Sequence, residues 1–251
     1  MSQHQSRGLV SRLLVALTTG LSIAALSWIG YAAVTWHRYG RSEDSAGEDP
    51  LLDQFMPAYE VRERHETRVA APADLTFATA RQLDLQRSPV VRAIFAIRTL
   101  PSLLRGEREA ERPRAFLAET LSLGWGLLAE VPGREIVMGA VTQPWEPIVA
   151  FRALPPDEFA GFDEPGYAKI VWIIAAEPAG PDESLFRTET RVRTTDPESR
   201  ERFRRYWATF SPGILLIRYE ALRLVKEEAE RQSRARGADA GCRRVPPQDP
   251  T

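Results

Sequence analysis

Toward the carboxyl end of the chain, apolar positions recur with helical spacing. Between Asp196 and about Arg234, Phe203, Tyr206, Trp207, Phe210, Ile214, Ile217, Ala221, Leu224 and Val225 fall within an arc of about 100° when each residue turns the helix by about 100°. Arg200, Glu201, Arg204, Arg205, Glu220, Arg223, Glu227 and Glu230 take the other side, a charged face suited to water. Asp196-Pro197 is a good entry, since Asp accepts from the free N–H groups of a first turn and Pro fits that turn. The pattern predicts one long amphipathic helix with one face on one core. Ser211-Pro212-Gly213 interrupts it. An interior Pro costs about 3 kcal/mol through a lost N–H and a crowded turn, so a stripe that continues past it predicts a kink that frees the Ala208 carbonyl. That kink either follows the bend of a sheet or aims the carbonyl into a cavity.

Upstream the period changes. From Tyr59 to Val69, Val61, Glu63, His65, Thr67 and Val69 share one face, and Arg62, Arg64, Glu66 and Arg68 the other, the mark of a half-buried strand. Pro72 with Asp74 opens a helix carrying Leu75, Phe77, Ala78 and Leu83. Ser88-Pro89 opens a second, through Val90 to Ile97, bounded by Pro101 and Gly106. Gly106 to Arg114 is dense in charge and reads as an exposed loop, with a short helix from Phe116 to Leu123. Turn signals then separate β-rich runs at Trp125–Val131, Glu135–Gln143, Ile148–Leu154, Tyr167–Glu177 and Ser184–Thr195, with a helical turn at Pro156–Phe162. Runs spaced like this predict an antiparallel meander. In the last of them Phe186, Thr188, Thr190 and Val192 alternate with Arg187, Glu189, Arg191 and Arg193, and the latter set reads as a solvated face.

The amino end is different. Leu13 to Trp36 carries no charge, and a helix over that run is about 36 Å long, enough for a hydrocarbon core of about 30 Å. It is read as a single transmembrane helix, with a cleaved signal peptide as the rival. Trp28, Tyr31, Trp36 and Tyr39 stand where interfacial aromatics belong. The expected organisation is a flank at 1–12, a membrane helix at 13–36, a flexible acidic spacer at 37–58, a folded domain at 59–235 and a disordered tail at 236–251. The expected location is that of a single-pass membrane protein, the short basic amino terminus slightly favouring an extracytoplasmic domain. The bilayer is then one partner, through residues 13–36.

Composition narrows the chemistry. In 251 residues, 33 basic side chains nearly balance 34 acidic ones, so the positive field that nucleic acid requires is missing and no such partner is expected. Cys242 is the only cysteine, which excludes an internal disulfide. Of three histidines, His4 and His37 flank the apolar run, leaving His65 alone where a metal needs three or four ligands, so no metal site is expected. Gly124-Trp-Gly-Leu-Leu-Ala matches a dinucleotide fingerprint in letters, but a helix precedes it and a strand follows, the reverse of what that site needs, and no cofactor is expected.

The order of a strand, two helices, an antiparallel series and one long terminal helix is that of the helix-grip fold, an α+β arrangement in which a curved antiparallel sheet wraps a C-terminal helix. The stretches Glu63 to Ala73, Gly124-Trp-Gly, Arg134 to Gly139 and Phe203-Arg-Arg-Tyr-Trp resemble the START-related superfamily of polyketide cyclases, lipid-transfer proteins and plant allergens, also called SRPBCC. That resemblance implies a mostly apolar cavity between sheet and helix, with no shared catalytic set.

Three functions remain open. The first is a membrane-anchored domain binding a hydrophobic small molecule or lipid, with His65, Trp125, Trp145, Trp172, Tyr206 and Phe210 as pocket candidates. The second is a cyclase or dehydratase using His65 with Glu63 as acid and base, since an imidazole with a pKa near 6.5 suits proton transfer. The third is an interaction module with a closed core.

Overall fold

The structure is a computed structural model that describes residues 2–39, 49–104 and 113–242. Six strands form one antiparallel sheet in the order β1-β6-β5-β3-β2, with β4 paired to β3 off that path. They are β1 (Val61–Val69), β2 (Gly126–Val131), β3 (Glu135–Thr142), β4 (Phe151–Arg152), β5 (Ala168–Gly180) and β6 (Glu183–Thr194). The meander expected from the turn signals is present, though the Ile148–Leu154 run pairs over two residues only. Seven α-helices and a 3-10 turn (Leu85–Arg87) accompany it among the described residues: α1 (Ser2–Arg38), α2 (Pro50–Asp53), α3 (Ala73–Gln82), α4 (Pro89–Leu104), α5 (Phe116–Ser122), α6 (Pro156–Gly161) and α7 (Pro197–Cys242). α4 continues through Pro101, and α7 through Pro212. Gly124 lies between α5 and β2 with φ +97°, and a Cβ there would collide with the Phe151 carbonyl oxygen, so the glycine serves a tight crossing.

Register decides what each face sees. Glu63 pairs with Thr190, His65 with Thr188 and Thr67 with Phe186, and on the next strand Ile170 pairs with Val192, Trp172 with Thr190 and Ile174 with Thr188. Directly paired residues share a face, and this one looks at α3 and α7. Its core joins Ile136, Met138, Trp172, Ile174 and Phe186 to Phe77, Leu222 and Val225. Sheet and terminal helix therefore stand as the helix-grip reading expects.

The opposite face differs from its sequence reading. Arg187, Glu189 and Arg191 are buried, Glu189 and Arg191 completely, and of that set only Arg193 is exposed. The cover is the segment from Asp49 to Tyr59. Asp49 caps α2 through the Leu51 and Leu52 N–H groups and pairs with Arg187; Asp53 pairs with Arg191, which also donates to the Met56 carbonyl at 3.0 Å and stacks 4.8 Å from the Tyr59 ring centroid. Glu189 joins Arg191 at 2.8 Å to Arg62 at 3.0 Å. Burial alone would lower the pKa of Arg191, but its bonds to Asp53 and Glu189 outweigh that and leave it raised. Leu52, Phe55 and Met56 pack on Val137, Val171 and Ile173 below. So 49–58 is a built layer and not a spacer, because its acids supply the counter-charges that a buried arginine needs.

The transmembrane reading is also corrected. Among the described residues no helix is long and apolar enough to cross a membrane. The far end of the apolar run is engaged by protein. Arg204 stacks 4.0 Å from the Trp36 ring centroid and donates to the Trp36 carbonyl at 2.9 Å. Tyr39 packs 6.1 Å from Phe203 and donates to Glu60 at 2.8 Å. Trp36 and Tyr39 thus contact α7 and Glu60, just ahead of β1, where lipid contact was expected, Arg204 leaves the solvated face, and neither a single-pass location nor a bilayer partner through 13–36 is supported. At the other end α7 runs on to Cys242, past the start expected for a disordered tail. Residues 243–251, most of the Gly106–Arg114 loop and the spacer from 40 to 48 lie outside the described residues.

Beneath α6 lies a cation with one bond. Lys169 is 3% exposed, donates to the Ala160 carbonyl at 2.9 Å and sits 5.1 Å from the Phe159 ring centroid. Burial, helped by Arg193, pulls its pKa down to about 8. The unfolded chain holds this proton more tightly, so stability is expected to rise as the pH moves from about 8 to 10.5, the ordinary value. Lys169→Met is expected to stabilise the fold by about 1–3 kcal/mol at pH 7 and to abolish that rise. Urea titrations of both proteins across this range check it, and parallel profiles would refute it.

Candidate ligand-binding site

Between α7 and the concave face of the sheet lies a cavity of about 340 Å³. Its strand side is Phe186, Thr188, Thr190 and Val192 of β6 with Ile170, Trp172 and Ile174 of β5; its helix side is the apolar stripe of α7, from Phe203, Tyr206 and Trp207 to Leu222 and Val225. Trp125, ahead of β2, closes one end with Phe151 and Phe116. The rings are coupled: Trp125 stacks on Phe151 at 4.9 Å and meets Trp172 edge-on at 6.0 Å, while Phe116 lies 5.4 Å from Trp172. The volume falls at the small end of the roughly 300–1,000 Å³ typical of small-molecule sites.

Of the residues singled out in the sequence, Trp125, Trp172 and Tyr206 come together in this wall. Trp145 does not line it. It packs against the cluster formed by Val61, Ala168, Val192, Phe203 and Trp207, its indole N–H buried without a partner, while the neighbouring Pro144 does reach the cavity. Phe210 is 54% exposed and touches the site only through Tyr206, 5.2 Å away.

His65 and Glu63 sit on the cavity face of β1, yet neither is part of the wall. The imidazole Nε2 stands 3.5 Å from a Glu63 carboxylate oxygen without a hydrogen bond, and Tyr219 covers the ring edge-on at 4.9 Å. Burial lowers the pKa of His65 and Arg218 adds to it; burial raises that of Glu63, with Arg218 pulling it partly back. Both shifts favour neutral forms.

No family model matches the chain, and neither does any curated protein. Solved structures with a similar fold include norcoclaurine synthase from Thalictrum flavum, in complex with dopamine and hydroxybenzaldehyde, at 17% identity over 64% of this chain and 83% of that one, TM-score 0.27. The ZhuI aromatase/cyclase from Streptomyces sp. R1128 is 16% identical over 70% of this chain and 98% of that one, TM-score 0.26. A START superfamily protein from Mycobacterium smegmatis is 12% identical over 61% and 93%, TM-score 0.19. TM-scores this low carry no argument about this chain. The START-related resemblance stands as one of fold, carried by the topology of this chain.

Sequence reasoning missed Arg218. It is the one charged side chain in the cavity wall among the described residues. Its Nη1 donates to the Glu63 carbonyl at 2.9 Å and its Nη2 to the Thr190 hydroxyl at 2.7 Å, tying α7 to β1 and β6. The signal was there: Arg218 lies one turn from both Ile214 and Leu222, a charge set into an apolar stripe.

Proposed function

We propose that this domain binds a hydrophobic small molecule or single-chain lipid between its sheet and its C-terminal helix. The supporting observation is the aromatic and aliphatic wall around about 340 Å³ of space, in a core whose other face is filled. Protein interiors otherwise pack close to the density of organic crystals, and a void of this size forfeits contacts that a bound apolar molecule restores. Trp125, Trp172 and Phe151 offer flat faces, and α7 supplies the aliphatic floor through Ile214, Ile217 and Ala221. No observation favours a reaction through His65, which stands outside the wall under Tyr219.

Native mass spectrometry of the purified chain tests the reading. A bound species that organic extraction removes is expected, and 1-dodecanol should refill the emptied protein. Ala221→Trp, which places an indole in the space, is expected to weaken dodecanol binding at least about 10-fold, at a folding cost of about 1–3 kcal/mol for overpacking. A wild-type protein that neither carries a ligand nor takes up dodecanol would end the proposal, as would a folded Ala221→Trp variant that binds it unchanged.

A further inference from the structure

Arg218 makes two hydrogen bonds, both to uncharged oxygens, although a guanidinium carries five N–H donors. No carboxylate among the described residues stands within 4.0 Å of it; Glu63, the nearest in sequence register, turns its carboxylate to His65. The buried arginines of the sheet are matched: Arg187 by Asp49, Arg191 by Asp53 and Glu189. The protein thus pairs the buried arginines of the filled face with carboxylates and leaves Arg218 without a carboxylate in contact on the hollow face. A guanidinium in an apolar wall with no carboxylate in contact is costly, the longer-range attraction of Glu63 offsetting only part of its burial, and an anionic oxygen group bound in the fork geometry of its free N–H donors removes that cost. The Thr190 hydroxyl strengthens the site. It accepts from Arg218, so its own proton is free to donate to the same anion.

We infer that Arg218 with Thr190 receives the acidic head of the bound molecule, so that the ligand is an apolar chain or ring system carrying one anionic oxygen group. This rests on reading the cavity as a ligand site. The arrangement also sets direction. Arg218 is tied to β1 and β6, at one edge of the sheet, whereas Trp125 and Phe151 belong to the β2 and β4 edge. The head lies under α7 by Thr190, and the apolar body runs across Trp172 toward Trp125.

The test compares three ligands of one chain length on the full chain, stripped of bound material: dodecanoate, monododecyl phosphate and 1-dodecanol, by calorimetry with tryptophan fluorescence as a second readout. At least one of the two anions is expected to bind about 10-fold or more tighter than the alcohol, and which of them leads tells carboxylate from phosphate. Arg218→Met, which keeps the apolar stem, is expected to erase that advantage, so that neither anion binds tighter than dodecanol; Arg218→Lys should keep part of it. Equal binding of all three by the wild-type protein would overturn the head-group assignment and leave the cavity reading standing, as would an Arg218→Met variant that still prefers the anion. Binding of none would overturn both. The wild-type comparison decides even if Arg218→Met does not fold.

Discussion

Glu189→Ala is expected to lower the unfolding free energy by about 3–5 kcal/mol, the range for breaking a buried ion pair from one side. Glu189 has no exposed surface and is the centre of the charge network on the filled face, reached by Arg62 and Arg191 from either side. Its loss leaves a fully buried Arg191 with Asp53 as its remaining carboxylate partner, and Arg62 without its carboxylate contact to Glu189. Glu189→Gln keeps the shape and some of the hydrogen bonding, so it is expected to cost less than the alanine variant. Urea denaturation at neutral pH measures both. A cost under about 1 kcal/mol for Glu189→Ala would mean that this network behaves as surface pairs do, and that the segment from Asp49 to Tyr59 does not seal the face.

Phe203→Ala should be comparably severe, about 3–5 kcal/mol, for a different reason. Phe203 is 1% exposed and is the ring on which three others lean: Tyr39 at 6.1 Å, Tyr206 at 5.8 Å and Trp207 at 5.9 Å. Tyr39 anchors the end of α1, and the other two belong to the cavity wall. Truncation therefore creates a void next to an existing one, where collapse has little to draw on. Two readouts are expected to move together: the denaturation midpoint falls, and the enlarged cavity accepts a bulkier apolar ligand than the wild-type protein does. A normal midpoint would show that α7 is held without this ring.

Both residues come from patterns visible in the sequence, yet only one was read correctly. Phe203 opens the apolar stripe of α7, and a stripe of helical period must meet a core. Glu189 lies in an alternation of Arg187, Glu189, Arg191 and Arg193 against Phe186, Thr188, Thr190 and Val192. Alternation sorts residues onto two faces; it does not say which is covered, and here both are. The counter-charge on Arg187 is Asp49, 138 positions away in the chain. Local composition around Asp49 shows only an acidic stretch rich in small residues, which is why it reads as a spacer.

The same limit applies at both ends of the cavity. Trp125, Trp172 and Tyr206 were legible as aromatic supply, but Trp145 and Phe210 carry the same chemistry and do not line the space. His65 stands out as a lone titratable group on an inward face, while Arg218, marked only by its place inside the apolar stripe of α7, is the one that reaches the wall.

What the sequence determined by itself was periodicity: the strands of the meander, the long terminal helix and the residues that share each face, because those follow from dihedral geometry and near-neighbour spacing. Tertiary structure alone decided the cover of each face. It set Asp49 and Asp53 against the arginines of β6, Trp36 and Tyr39 against α7, and left Arg218 without a carboxylate beside an apolar hollow. Those outcomes depend on contacts between distant parts of the chain, whose energies are set by what each group meets once water is gone, and no local spacing encodes that.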